Sequence, residues 1–455
     1  MGECLMLGKR VMIPVSIVLA AALTSGCSAS KQSSVEQQSP KAEVSKVEAP
    51  KGPITLKVAT VRAVQSFEDI TKVIRKKYPN VTLEIVEYKY NEQFLTNMIA
   101  TGNAPDIIDD ATTNIPLLLD LDFPLDLEPI VKKQNYNMSQ VDAGVIESIR
   151  SYNGKLLMMP VNLTAPVALF YNKDIFDRFG VSYPKVGNTW DEDIELAKRL
   201  SRSENGISYR GLSAGNIINR MATQMSLNYI DPATGKAVIS SNEGWKKMFG
   251  IWKNIYGIPN NYPAGSKFGN GIPDFVKVRN LAMFPHFLSL IQEKNAANFE
   301  EAAKSGLNWG ATTWPAFKEN PGVAMGGISW GFMITKTNKY PEFSLELIMN
   351  LLSDEGQIDI AGTGTVPAVT KPELRQYIYK DDPLINQIPK ETLTAIFNTK
   401  EPKPYSRSKY DTQSLNIVSK YMHEYLEQNT DLNTVLRKAD EEIDKYVLEK
   451  SSIKK

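Results

Sequence analysis

The chain has 455 residues, with 52 Lys and Arg against 51 Asp and Glu, 42% apolar residues, two Cys and two His. That length leaves room for two or three domains with large cores, and 23% charged with 9% aromatic residues excludes disordered and collagen-like chains. A net charge of +1 supplies no field to hold nucleic acid, and two His without a Cys-x-x-Cys pair argue against a metal centre, so no cofactor is expected.

After Lys9 and Arg10 comes an apolar run, residues 11–23, too short to span a bilayer but with the proportions of a signal-peptide h-region. The run ends Leu23-Thr24-Ser25-Gly26-Cys27, which resembles the lipobox read by the lipoprotein signal peptidase. Residues 1–26 therefore read as a lipoprotein signal peptide. Its removal takes away Glu3, Cys4, Lys9 and Arg10, leaves 50 side chains of each sign, and makes Cys27 the site of lipidation. A doubly or triply acylated Cys holds a membrane stably, where one chain would not. Residues 27–53 are rich in Ser, Gln, Lys, Glu and Pro and lack an apolar period. Such a composition cannot offset its ordering entropy, so it reads as a disordered tether with a reach of about 25–30 Å. The chain is expected on the outer face of a cell membrane, of the Gram-positive type, held by its lipid.

Residues 54–60 alternate as a half-buried strand, 66–77 have helical spacing, and 81–87 alternate again, a β-α-β opening. A helix over 91–101 stops at Gly102, and a third strand over 104–109 ends in Asp109-Asp110. Strands alternating with helices imply a mainly parallel sheet, with ligands outside the carboxyl strand ends. Further strands are expected at 155–160, 167–171, 209–214, 278–284 and 332–335. Helices are expected at 174–179, 190–200, 242–255, 341–352 and over the span 415–448. Thr189 begins the helix over 190–200 as its N-cap, with Asp191 and Glu192 in the first turn. Residues 231–236 read as a turn, and 309–331 as a connection rich in Gly, Trp and Pro. No internal repeat and no second membrane-length apolar run are present.

Phe170-Tyr171-Asn172-Lys173-Asp174-Ile175-Phe176, followed by Thr189-Trp190-Asp191-Glu192, resembles the YNKD and TWDE signature of family 1 extracellular solute-binding proteins. These are the sugar-binding lipoproteins of ABC importers. Ala104-Pro105-Asp106, Asn280-Leu281-Ala282-Met283, and Gly326-Gly327 through Ile334-Thr335-Lys336, with Gln357 and Val366-Pro367-Ala368 beyond, match further blocks in order. The likeness runs from about residue 56 to 448. It implies an α/β fold of two lobes, each a mainly parallel sheet flanked by helices, with hinge crossovers and a cleft that closes on ligand. The lobes would divide as 54–165 (first lobe), 166–283 (second lobe), 284–330 (return to the first lobe and hinge) and 331–455 (remainder of the second lobe). Crossovers are expected near 163–170, 314–332 and 284–287.

The implied ligand is a carbohydrate, delivered by a monomer to the transmembrane subunits of an ABC permease. A sugar presents an apolar ring face and a rim of hydroxyls, so its binder needs aromatic platforms and fixed polar partners. Trp314 and Trp330 lie in the hinge-side connection, as platforms or as packing. Asp109 and Asp110 either accept hydroxyls or sit in a solvated loop. Arg62, just after the first strand, is a donor or a surface arginine, and Asn162 and Thr164 precede the first crossover. His286 ends a strand facing the cleft or is structural, and Asn216 binds or caps a helix. Ala165 stands where maltose-type members carry a glutamate, which speaks against maltose itself. The chain is expected to bind without catalysis. The alternatives are a secreted glycosidase working through a carboxylate pair, or the same fold carrying a polyamine, iron or phosphate ligand.

Overall fold

The computed structural model describes residue 50 and residues 52–452, apart from 63, 164–165, 215–217, 263–270, 293–297, 326–327, 404 and 406. The signal segment, Cys27, the tether up to residue 49, Thr164, Ala165 and Asn216 lie outside the described residues.

Eleven strands form among the described residues: β1 Ile54–Thr60, β2 Val81–Val86, β3 Ile107–Ala111, β4 Met159–Leu163, β5 Val167–Asn172, β6 Arg202–Glu204, β7 Ile207–Leu212, β8 Leu281–Phe287, β9 Trp309–Thr313, β10 Ser329–Ile334 and β11 Val366–Pro367. They build two sheets, in the orders β11-β4-β10-β3-β1-β2 and β6-β7-β8-β5-β9. Each sheet is the centre of one α/β lobe. Pairings are mixed rather than mainly parallel: β1–β2, β1–β3 and β7–β8 are parallel, and the other pairs are antiparallel. The reason lies in the crossovers. β10, returning from the second lobe, inserts between β3 and β4 and runs against both.

The division of the chain between the lobes differs from the expected one in its later half. β8 and β9 belong to the second sheet, so 284–330 is not a return to the first lobe. β10, β11 and the helices Pro341–Leu351 and Asp354–Gly362 belong to the first lobe, whose core holds Phe332, Phe343, Leu345, Ile348 and Ile360. From Ile378 onward the chain is back on the second lobe: Ile385, Ile388 and Ile396 pack against the outer face of its sheet, and the closing helices, Asp411–Glu427 and Leu432–Ser452, enter its other core through residues such as Val418, Met422, Leu436 and Ile443. The third crossover is likewise not at 284–287. It follows β11, where Leu374 still packs in the first-lobe core while Ile378 packs on the outer face of the second sheet beside Phe170 and Trp309. The sequence gives 284–287 a Pro-His break that resembles a crossing, but cross-strand pairing to β5 continues through it.

Local chemistry explains most element boundaries. Asn91 caps the helix Glu92–Ala100 by accepting from the Phe94 amide at 2.8 Å. Thr189 and Glu192 form a reciprocal capping box at the head of Trp190–Leu200. The turn at Asp231 forms as expected, its carboxylate accepting from the amides of Ala233 and Thr234. The helical stretch at 66–77 is two helices, Val64–Ile70 and Lys72–Lys77, broken at buried Thr71, whose hydroxyl donates to the Phe67 carbonyl at 2.6 Å. The stretch at 415–448 is also two helices, with Asn429 between them at φ 56°. Residues 274–278 form a π-helical turn rather than the start of a strand.

Candidate functional site

Four strands of the first sheet end at one edge. β1 and β3 finish there in parallel, and β10 begins there. Register pairs Thr60 with Asp109, Trp330 with Ala111, and Trp330 with Asn162. Paired strand residues share a face and alternate residues return to it, so Thr60, Asp109, Asn162 and Trp330 lie on the same side. A register shift between Trp330 and Gly331 brings Asn162 opposite the indole. Gly331 is obligatory at this shift, because a Cβ there would stand 2.3 Å from the Met159 carbonyl oxygen.

Arg62, one residue beyond the β1 loop start, folds back over this face. Its Nε donates to both Asp109 oxygens at 3.1 and 2.8 Å, and Nη2 donates to Asn162 Oδ1 at 2.9 Å. The guanidinium carbon lies 4.7 Å from the Trp330 ring centroid, a cation–π arrangement. Asp109 is wholly buried and also accepts from the Thr60 hydroxyl at 2.8 Å. Trp330 itself is half-buried. The result is an arginine plane fixed on one side of an indole, with an amide beside it.

Asp110 points to the opposite face and has different partners. It accepts from the Tyr88 hydroxyl at 2.5 Å, the Ala111 amide at 2.7 Å and Asn114 Nδ2 at 2.8 Å. Burial pushes its carboxyl up to about 6 against these stabilising bonds, with the neighbouring Asp109 charge adding to the rise. Burial, then the Asp110 charge and the bond to it, push the Tyr88 phenol far above its ordinary range. Tyr90, two residues on, is also raised, by burial and by the charges of Asp110 and Asp411. Asp411 begins the helix Asp411–Glu427 of the second lobe, and burial pushes it up to about 6 despite Arg407 and the Ser408 amide. Arg407, Tyr405 and Asp411 act in turn on Tyr152 of the first lobe and Tyr229 of the second. This aromatic and acidic group thus spans the two lobes. Lys409 adds a direct bridge between them, 2.9 Å from Asp120.

Of the residues singled out from sequence, Arg62, Asp109, Asn162 and Trp330 come together. Asp110 is separated from Asp109 by strand alternation, and both are buried, so neither carboxylate sits in a solvated loop. Trp314 is a correction: it lies in the second-lobe core, 2% exposed, edge-on to Trp190, its indole donating to Gln224 Oε1 at 3.0 Å. A buried indole with its only donor satisfied offers no ring face to a ligand. His286 is half-buried at the end of β8 between Phe284 and Phe287, and burial followed by the Arg220 charge lowers it to about 4. It is therefore neutral near pH 7. Sequence reasoning missed Tyr88, Tyr90, Tyr152, Tyr405, Arg407 and Asp411. The first two carried a weak signal, since Val86, Tyr88 and Tyr90 alternate with Glu87 and Lys89 beyond β2, out of phase with its Val81, Leu83 and Ile85. Among the described residues no group of acidic, His or Cys side chains could hold a metal ion, and no helix is long and apolar enough to cross a membrane.

Comparison with known proteins agrees with this architecture. The chain belongs to the bacterial extracellular solute-binding protein family, whose model matches residues 62–358. The fold is shared with the substrate-binding protein Lmo0181 of Listeria monocytogenes, solved in complex with cycloalternan, at TM-score 0.65 and 17% identity over 87% of this chain and 99% of that one. It is shared equally with the sugar-binding protein MalE of Xanthomonas citri, at TM-score 0.68 and 16% identity over 88% and 98%. A short stretch resembles the sn-glycerol-3-phosphate-binding protein UgpB of Agrobacterium fabrum, 34% identical over 68 residues. That match spans only 15% of either chain. The family and these structural relatives are binding proteins rather than enzymes.

Proposed function

We propose that the protein captures a neutral oligosaccharide between its two lobes and hands it unchanged to an ABC permease, while lipid on Cys27 holds it at the outer membrane face. The observation that carries this reading is the Arg62–Trp330 plane, fixed by Asp109 and flanked by Asn162 at the carboxyl edge of the first sheet. An indole offers an apolar surface to a sugar ring, and the guanidinium and amide offer fixed donors to its hydroxyls. The fold of sugar-binding relatives supports the same ligand class.

A phosphate ester, the ligand in the name of the short-match relative, fits less well. Arg62 is already paired with buried Asp109, and Asp110 and Asp411 stand nearby as buried acids. A dianion at the Arg62–Trp330 face would stand beside these buried carboxylates. Thermal unfolding of the Cys27→Ser protein against neutral oligosaccharides, uronates and glycerol 3-phosphate tests the reading. A ligand at 100 times its Kd should stabilise by about 2.7 kcal/mol, and the recovered glycan should be intact. Stabilisation by glycerol 3-phosphate alone, or cleaved product that scales with protein, would overturn it.

A further inference from the structure

The crossovers that join the lobes meet the first sheet at neighbouring strands. β4 runs on into β5, β9 runs on into β10, and the third crossover follows β11. Those three first-sheet strands stand together in the order β11-β4-β10, and β3, β1 and β2 fill the other side of the sheet. A contact between the lobes on that other side lies off the hinge, so rotation about the crossovers makes or breaks it.

One ion pair stands there. Asp120 ends the helix Ile115–Asp120, which follows β3 and packs Ile115, Leu117 and Leu118 into the first-lobe core. Lys409, just before the second-lobe helix Asp411–Glu427, places its Nζ 2.9 Å from Asp120 Oδ1. The chain leading to Lys409 is fixed to the second lobe from behind. The Lys400 amide donates to the Gly322 carbonyl at 2.9 Å, and the Ser226 hydroxyl donates to the Lys403 carbonyl at 2.8 Å. The hydroxyls of Tyr405 and Thr223 meet at 3.3 Å, and Tyr410 packs edge-on to Tyr446. Lys409 is therefore carried by the second lobe and moves with it.

The pair is 24% and 26% exposed at its two side chains, so water screens it less than a pair standing free at the surface. The ammonium also lies 5.1 Å from the Tyr410 ring centroid, which holds it in place. Asp411, two residues on, acts on Tyr90 beyond β2, so the same rim of the second lobe reaches towards the edge strand farthest from the crossovers. Ion pairs inside one lobe, such as Lys336–Asp122 of the first, keep their geometry when the lobes rotate. Lys409–Asp120 does not.

We propose that Lys409 and Asp120 form a latch that holds the lobes closed and that salt weakens. The latch acts on closure alone, whichever solute the strand-edge site takes. Its test reads the distance between the lobes in the full chain without added solute. Cys4 and Cys27 are the chain's two cysteines, so with both replaced by Ser, spin labels at Thr82→Cys and Ser203→Cys are unique. Both positions are exposed and lie on the outer edge strands β2 and β6. Double electron–electron resonance should show a shorter, closed distance and a longer, open one. Lys409→Glu sets two acids face to face and should lower the closed-to-open ratio by about threefold or more. Lys409→Gln, which only removes the charge, should shift it the same way by less. Added NaCl should lower the parent's ratio and raise that of Lys409→Glu, whose facing acids it screens. The exchanged pair Lys409→Glu/Asp120→Lys should recover closure, and Lys336→Glu, which breaks a pair within one lobe, should leave the ratio unchanged. Unaltered far-UV circular dichroism verifies that each variant is folded. A ratio unmoved by both Lys409 variants, no recovery in the exchanged pair, an equal shift in Lys336→Glu, or a single distance in every variant would each overturn the proposal.

Discussion

Arg62 and Asp109 form a buried pair, with Arg62 11% and Asp109 0% exposed at their side chains. Removing one charge from such a pair leaves the other desolvated and alone, which costs about 3–5 kcal/mol. Asp109→Asn should therefore lower stability by an amount of that order and also release the guanidinium from Trp330, so that affinity falls with it. Chemical denaturation and ligand titration on the same sample check both halves. Asp193 behaves differently. It is fully buried, Oδ1 accepts from Asn188 at 2.8 Å, and Oδ2 has no hydrogen-bond partner. Burial pushes its carboxyl from 3.8 to about 7, so ionisation is disfavoured in the folded chain. Its contribution is absent below pH 4, becomes unfavourable as pH rises, and is complete above 7, where it reaches up to ~4 kcal/mol. Asp193→Asn should match the parent near pH 4 and exceed it in melting temperature at pH 8; a difference independent of pH would refute this assignment. The residues of the site that were legible in sequence, Arg62, Asp109, Asn162 and Trp330, are those that fall at strand ends. For Trp314 the sequence left platform and packing both open, because the group that satisfies its indole, Gln224, lies 90 residues away.

Elements with a strong period were legible, and elements shaped by tertiary contact were not. The β-α-β opening, the capped helix Trp190–Leu200 and the helix Glu243–Tyr256 follow directly from alternation, capping residues and amphipathic spacing. By contrast, β9 is buried at every position, so Trp309-Gly310-Ala311-Thr312-Thr313 shows no alternation and reads as a connection. The helices Ile115–Asp120, Glu128–Lys133 and Ala143–Arg150 are short and interrupted, below the length at which spacing declares itself. Trp245, in the helix Glu243–Tyr256, is fully buried, packs 4.9 Å from Tyr229, and donates to the Asn228 carbonyl at 2.9 Å. Trp245→Ala should cost about 3–5 kcal/mol of stability. Affinity in the folded fraction should stay unchanged, and a large affinity loss below the melting transition would show that this helix takes part in binding.

At the scale of the molecule, two mixed sheets, three crossovers and the Lys409–Asp120 bridge join lobes that can each hold half of a ligand site. The lobe architecture was implied by the ordered motifs, but the assignment of chain segments to lobes was not, since β10 returns to the first sheet through contacts that no local pattern encodes. If lipid on Cys27 is the sole anchor, Cys27→Ser should move the protein from washed membranes to the soluble fraction with an unchanged melting temperature; retention on the membrane would contradict the anchor. The central claim, that the Arg62–Trp330 plane receives a sugar, is tested most directly by titration calorimetry of the parent and Trp330→Ala proteins with the oligosaccharide that most raises the melting temperature. Loss of an aromatic platform costs roughly 2–4 kcal/mol, so affinity should fall by at least tenfold in the folded variant. Equal affinity in the two proteins would contradict the account.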